Sequence, residues 1–73
     1  MLEHLRGPRE DKDLSQTDMA RLLNVHQTTY SDYELGNLNI PIDSLMALAD
    51  FFHTSIDYIV GLTDEREPYP RRK

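Results

Sequence analysis

Apolar and polar positions recur along this chain with a helical period, in short runs. Over 16–23, Met19, Ala20, Leu22 and Leu23 fall on one face at about 100° per residue, and Thr17, Asp18 and Arg21 fall on the other. Ser15 stands just ahead of this run and Asp18 three residues later, the pattern of a capping box, so a helix is predicted to start there. Asn24 is predicted to end it, because Asn tolerates a left-handed backbone best after Gly. A second run, over about 27–35, puts Thr29, Tyr30 and Tyr33 on one side and Gln27, Thr28, Ser31, Asp32 and Leu35 on the other. Gly36 ends it by the same logic. Its outward side is mostly short or polar, which suits a surface that approaches another molecule closely.

A further run, IDSLMALADFF, spaces Leu45, Leu48, Ala49 and Phe52 as a core face. His53 and Thr54 then read as a turn, Ser55 as the cap of a last short helix up to 60, and Gly61 as its close. Ahead of all these, GPREDKD opens with Gly7 and Pro8. Proline suits the first position of a helix and costs about 3 kcal/mol inside one, so a short helix over 8–13 is expected, with 1–6 helical or frayed. From Thr63 onward, TDEREPYPRRK is charged and interrupted by proline, and reads as a flexible tail. No stretch reads as a strand. The expected fold is all-α, a compact bundle of five short helices over 1–62, followed by a charged tail over 63–73.

Composition narrows the function. The chain has 73 residues, enough for one domain with a small core. It has no cysteine, which excludes disulfides, thiolate metal sites and thiol catalysis. Nothing resembles a signal peptide or the roughly 20 apolar residues of a membrane span, so a cytoplasmic protein is expected. His4, His26 and His53 lack any paired metal-ligand spacing, and there is no glycine-rich phosphate loop and no serine elbow. No metal, cofactor or enzymatic activity is expected. Eight Lys and Arg against thirteen Asp and Glu give a formal net charge of −5, where a nucleic-acid binder usually shows a basic footprint. That balance bears on affinity and not on architecture.

The stretch MARLLNVHQTTYSDYE joins two short helices so closely that they must cross. A helix-turn-helix needs a small residue where the helices touch, a left-handed-tolerant residue in the turn and an apolar anchor in the second helix. Counting Gln16 as first, Ala20 is fifth, Asn24 ninth and Tyr30 fifteenth, and all three needs are met. Two core helices of a bundle without a ligand remain the plainer reading of the same pattern. The elements LSQ, A…LLNV, YE.G, IP, L…LA.FF and S.DYIVG, taken together over about 14–62, resemble the phage-repressor-type (lambda repressor and Cro-like, XRE) helix-turn-helix family.

The resemblance implies a domain that binds duplex DNA, usually as a dimer on a palindromic operator, with the motif at about 16–35 and the recognition helix at about 27–35. It implies that Gln27, Thr28, Ser31 and Asp32 face the bases, and that Gln16, Asn37 and Asn39 contact the DNA backbone. Gln16 would also brace the recognition helix, and Arg9 and Glu34 would form a partly buried ion pair. Three departures stand out. Gly7 and Pro8 replace a helical and an apolar core residue, which should shorten or kink the first helix. Leu35 stands where a polar backbone contact is common. No Lys or Arg occurs from His26 to Asn39, leaving Lys12, Arg21, Arg71, Arg72 and Lys73 as cations for phosphates. Weak monomer affinity and a shallow salt dependence are therefore expected. Phe51, Tyr58 and Ile59 are candidates for a dimer interface or for ordinary core. The expected function is a transcriptional regulator acting as a repressor; the alternatives are the antitoxin of a toxin–antitoxin pair and a protein-interaction module that kept the fold without DNA binding.

Overall fold

Five helices follow one another in the computed structural model, which describes residues 2–68: α1 (Glu3–Asp11), α2 (Gln16–Leu23), α3 (Gln27–Leu35), α4 (Ile42–Phe51) and α5 (Ile56–Ile59). No strand occurs among the described residues. α2 begins at a full capping box. Ser15 Oγ accepts the Asp18 N–H at 3.1 Å, and the Asp18 carboxylate accepts the Ser15 N–H at 2.9 Å. The backbone N–H of Ser15, then its hydroxyl, hold the Asp18 carboxyl below its usual range.

The helices all end in the same way. A residue with positive φ follows each one: Asp13 at 55°, Asn24 at 57°, Gly36 at 82°, His53 at 54° and Gly61 at 86°. The next N–H then bonds a carbonyl five residues back, from Leu14 to Arg9, Val25 to Ala20, Asn37 to Asp32, Thr54 to Ala49 and Leu62 to Asp57, at 2.8–3.1 Å. Gly36 and Gly61 have no Cβ to clash in this conformation, and Asn24 is a residue type that tolerates it. Asp13 and His53 are, with Asn, the residue types found there more often than other non-glycines, and each works against a penalty of about 1–2 kcal/mol. The gain is geometric: each helix stops within a residue, so its successor leaves at a steep angle.

α1 departs from expectation. It begins at Glu3, passes through Gly7 and Pro8 without a break, and stops at Asp11. Pro8 offers no N–H to the His4 carbonyl, so one backbone bond is lost inside the helix. Tertiary contacts offset that loss. Leu5 is fully buried and Pro8 is buried, while Leu2 packs on the core and its N–H donates to the Glu34 carbonyl at 2.7 Å. The His4 ring lies flat on Tyr58, with centroids 4.1 Å apart, and its Nδ1 sits 2.9 Å from the Tyr58 carbonyl. A carbonyl only accepts, so that nitrogen carries the proton.

Each helix contributes one almost wholly buried large side chain: Leu5, Met19, Tyr30, Leu48 and Ile59. Ala20, Tyr33, Ala49 and Phe52 complete the core, and Leu45 packs half-buried beside it. Ile59 is therefore core, not an interface residue. Leu22 departs from the apolar face read for α2: it is 43% exposed, as Phe51 is at 41%. Residues 63–68 lie against the body. Thr54 Oγ1, itself buried, donates to the Arg66 carbonyl at 2.7 Å, and His4 Nε2 lies 3.4 Å from Asp64. The remainder of the expected tail, with Arg71, Arg72 and Lys73, lies outside the described residues.

Two substitutions probe this core. The Tyr30 hydroxyl is buried near the Glu34 carboxylate without closing a hydrogen bond, and burial, then Glu34, push its pKa above the ordinary phenol value. Tyr30→Phe removes an unsatisfied polar group and should leave stability unchanged or raise it by about 1–3 kcal/mol in urea unfolding. A clear loss would mean that the hydroxyl has a partner. A Cβ at Gly7 would meet nothing within 4 Å. Gly7→Ala should add about 0.5–1 kcal/mol in the same assay, and a loss would show that α1 is not helical there.

Candidate nucleic-acid interface

α2 and α3 cross over a turn of three residues, Asn24, Val25 and His26. Ala20 is buried where the helices meet, Val25 packs on the core, and Tyr30 anchors α3 from below. The inner edge of α3 is Tyr30, Tyr33 and Glu34, with the two rings meeting edge to face at 6.5 Å. Its outer edge begins with Gln27 and Thr28, both exposed, continues through half-buried Ser31 and Asp32, and ends at exposed Leu35. These four polar residues thus share one open edge, ahead of Asn37 and Asn39, which are exposed in the loop that follows.

A chain of polar contacts runs from the core to that edge. Arg9 Nε donates to Glu34 Oε2 at 2.6 Å and Arg9 Nη2 donates to Glu34 Oε1 at 3.3 Å, with the side chains 11% and 3% exposed. Arg9 Nη1 donates to the Leu14 carbonyl at 2.8 Å, so the same guanidinium also holds the α1–α2 turn. Burial opposes the Arg9 charge, but the hydrogen bond and Coulomb attraction of Glu34 outweigh it and raise the arginine's pKa. Gln16 Nε2 then donates to Glu34 Oε1 at 3.4 Å, and Gln27 Nε2 donates to Gln16 Oε1 at 2.8 Å.

The direction of this chain follows from charge. A carboxylate only accepts, so Gln16 turns its amide N–H to Glu34 and its carbonyl to Gln27. Gln27 must then offer an N–H in return. Its carbonyl oxygen and second N–H remain at the exposed start of α3, an acceptor beside a donor. That pairing matches the N6 and N7 edge of adenine.

Asn37 stays exposed and leans on Asp32: its Nδ2 lies 3.5 Å from Asp32 Oδ1, which partly occupies both side chains. The cations stand away from this edge. Arg9 is half-buried on Glu34, Arg6 bonds Glu10 at 3.4 Å, and Arg66 lies 3.9 Å from Asp11. The Lys12 ammonium sits 5.8 Å from the centroid of the Phe51 ring. Arg21 lies about 140° around α2 from Gln16. Lys12 and Arg21, two of the cations expected near phosphates, are thus turned elsewhere. The contacts of Leu2 N–H and the Leu14 carbonyl with the Arg9–Glu34 pair had no signal in the sequence, since backbone groups carry none.

Removing one partner of a buried pair leaves the other charge uncompensated. Glu34→Ala should cost about 3–5 kcal/mol in urea unfolding, and Arg9→Met a similar amount. The double variant Arg9→Met/Glu34→Leu should lose much less than the sum of the two. Additive losses would mean that the two side chains act separately.

The comparisons with known proteins agree with this geometry. A helix-turn-helix family model matches residues 9–59. The chain is 34% identical over 71 residues to YobD of Bacillus subtilis, an HTH-type transcriptional regulator described as uncharacterized, covering 97% of this chain and 63% of that protein. It is 31% identical over 70 residues to the HTH-type transcriptional regulator AnsR of the same organism, covering 96% of this chain and 60% of that protein. The chain therefore spans about three-fifths of the length of these curated relatives. No solved structure matches it significantly. Among the described residues, no helix is long and apolar enough to cross a membrane. From the crossed helices, the motif and these matches, the chain belongs to the XRE-type helix-turn-helix family of DNA-binding transcriptional regulators.

Proposed function

We propose that this regulator is a cytoplasmic repressor that binds a palindromic operator as a dimer, with the domain over 1–62 placing α3 in the major groove. The observation that carries the reading is the Gln27 amide, held at the open start of α3 by Gln16 with an acceptor and a donor left over. Gln27 reads adenine, the Thr28 methyl meets a thymine methyl, and Ser31 follows on the same edge. Asp32 accepts from cytosine N4 when it leaves Asn37. Gln16, Asn37 and Asn39 bond phosphates without charge, and so position α3 without releasing many counterions. The Arg9–Glu34 pair acts only as the support for this edge.

Dimerisation supplies the affinity that one acidic copy lacks. A groove of about 360 Å³ just beyond α3 is lined by Leu2, Gly36, Leu38, Ile40, Leu45 and Val60 with Asn39, and it holds no ionisable side chain. On a chain of net charge −5, such a surface is where two copies meet with least repulsion. Exposed Ile42 and Met46 extend the apolar surface along α4. A two-fold axis at this end would set two recognition helices about 34 Å apart, one turn of DNA.

The test is selection from a random duplex library at about 50 mM salt, where few phosphate contacts still hold. The expected product is a palindrome with half-sites one turn apart. Gln27→Ala should relax one base pair per half-site by about 1–3 kcal/mol. No enrichment from a folded protein would overturn the reading in favour of a protein-interaction module on the same fold, a role that the acidic surface also suits.

A further inference from the structure

We propose that the groove between the α1–α2 turn, α2 and the end of α4 docks a segment of a partner protein that carries bulky apolar anchors flanked by carboxylates. The groove has a volume of about 480 Å³ and is lined by Leu14, Asp18, Met19, Arg21, Leu22 and Phe51. Met19 forms a buried floor, while Leu22 and Phe51 stand 43% and 41% exposed at its sides. Leu22 belongs to the apolar face of α2, yet the described residues leave it 43% exposed. The space admits one or two bulky side chains, as when a helix presents anchors four residues apart to a groove.

Charge selects the occupant. Residues 2–68 contain all thirteen acids of the chain and five of its eight cations. Arg6, Arg9 and Arg66 each have a carboxylate within 3.9 Å. Lys12 and Arg21 make no close ion pair among the described residues; Arg21 lines this groove and Lys12 sits beside it, over the Phe51 ring. Asp18 is the one acid in the lining; its carboxylate accepts the Ser15 N–H and lies in the field of Arg21, and Lys12 adds a second positive charge beside the groove. An acidic segment is therefore repelled by most of the domain and accepted here, with apolar burial for its anchors.

The groove is independent of the base-reading edge. At 100° per residue, Arg21, Asp18 and Leu22 lie about 140°, 200° and 240° around α2 from Gln16, centred opposite the residue that braces α3. A docked segment leaves Gln27 and Thr28 open, so partner and DNA are held together. The proposal does not rest on the operator reading above.

The test is titration of the isotope-labelled full chain with a synthetic helical peptide bearing Leu and Phe four apart and flanked by Glu, followed by amide chemical shifts. Saturable shifts are expected at Leu14, Arg21, Leu22 and Phe51. A peptide with Lys in place of Glu should bind at least about tenfold weaker, through loss of the charge term. Arg21→Glu should reverse that preference, and Leu22→Asn should weaken both peptides; a dispersed spectrum checks the fold of each variant. Shifts should persist with duplex DNA present. Equal binding of the two peptides, no saturable shift at these amides, shifts gathered instead at the Leu38 and Val60 groove, or displacement by duplex would each overturn the proposal.

Discussion

One buried contact, Arg9 with Glu34, ties α1 to α3, and the rest of the arrangement is built around it. An apolar side chain would fill the inner edge of α3 at less expense, since a buried pair is weak evidence of stability in itself. What the pair supplies is direction. A guanidinium fork fits a carboxylate in one plane, so α1 and α3 are fixed in angle as well as in contact. The remaining Arg9 donor reaches the Leu14 carbonyl, which locks the turn into α2. The remaining carboxylate capacity goes to Gln16, and through it to Gln27. A buried charge thereby decides which way a surface amide faces.

The same pair accounts for the behaviour of α1. Leu2 N–H bonds the carbonyl of Glu34, so the start of α1 is fastened to the residue that Arg9 neutralises from its other end. With both ends held and Leu5 buried between them, a proline in the interior can be borne. A helix that stood alone would break there.

Side-chain signals were legible in the sequence, and tertiary compensation was not. Ser15, Asp18, Asn24 and Gly36 act on their own neighbours, so the limits of α2 and α3 could be read directly. Pro8 is also a local signal, but the contacts that override it come from Tyr58 and Glu34, far along the chain. Periodicity placed Leu22 on an apolar face and could not say that the neighbouring helices stop short of it. The left-handed caps at Asp13 and His53 were invisible because neither residue type requires them. At the site, periodicity alone put Gln27, Thr28, Ser31 and Asp32 on one outward edge. The pairing of Arg9 with Glu34 was suggested by family resemblance, and the lean of Asn37 on Asp32 by nothing in the sequence.

The absence of cations along α3 has a kinetic meaning. Most DNA-binding proteins are slowed in their search by the arbitrary duplex they cling to, and that clinging is ionic. A domain with an acidic surface is pushed off such tracts at long range and gains only where hydrogen bonds form at contact. Under the proposed operator reading, encounters with wrong sequences would be brief, and the search would run by repeated collision more than by sliding. Occupancy would then track protein concentration closely, with little of the pool stored on bystander DNA.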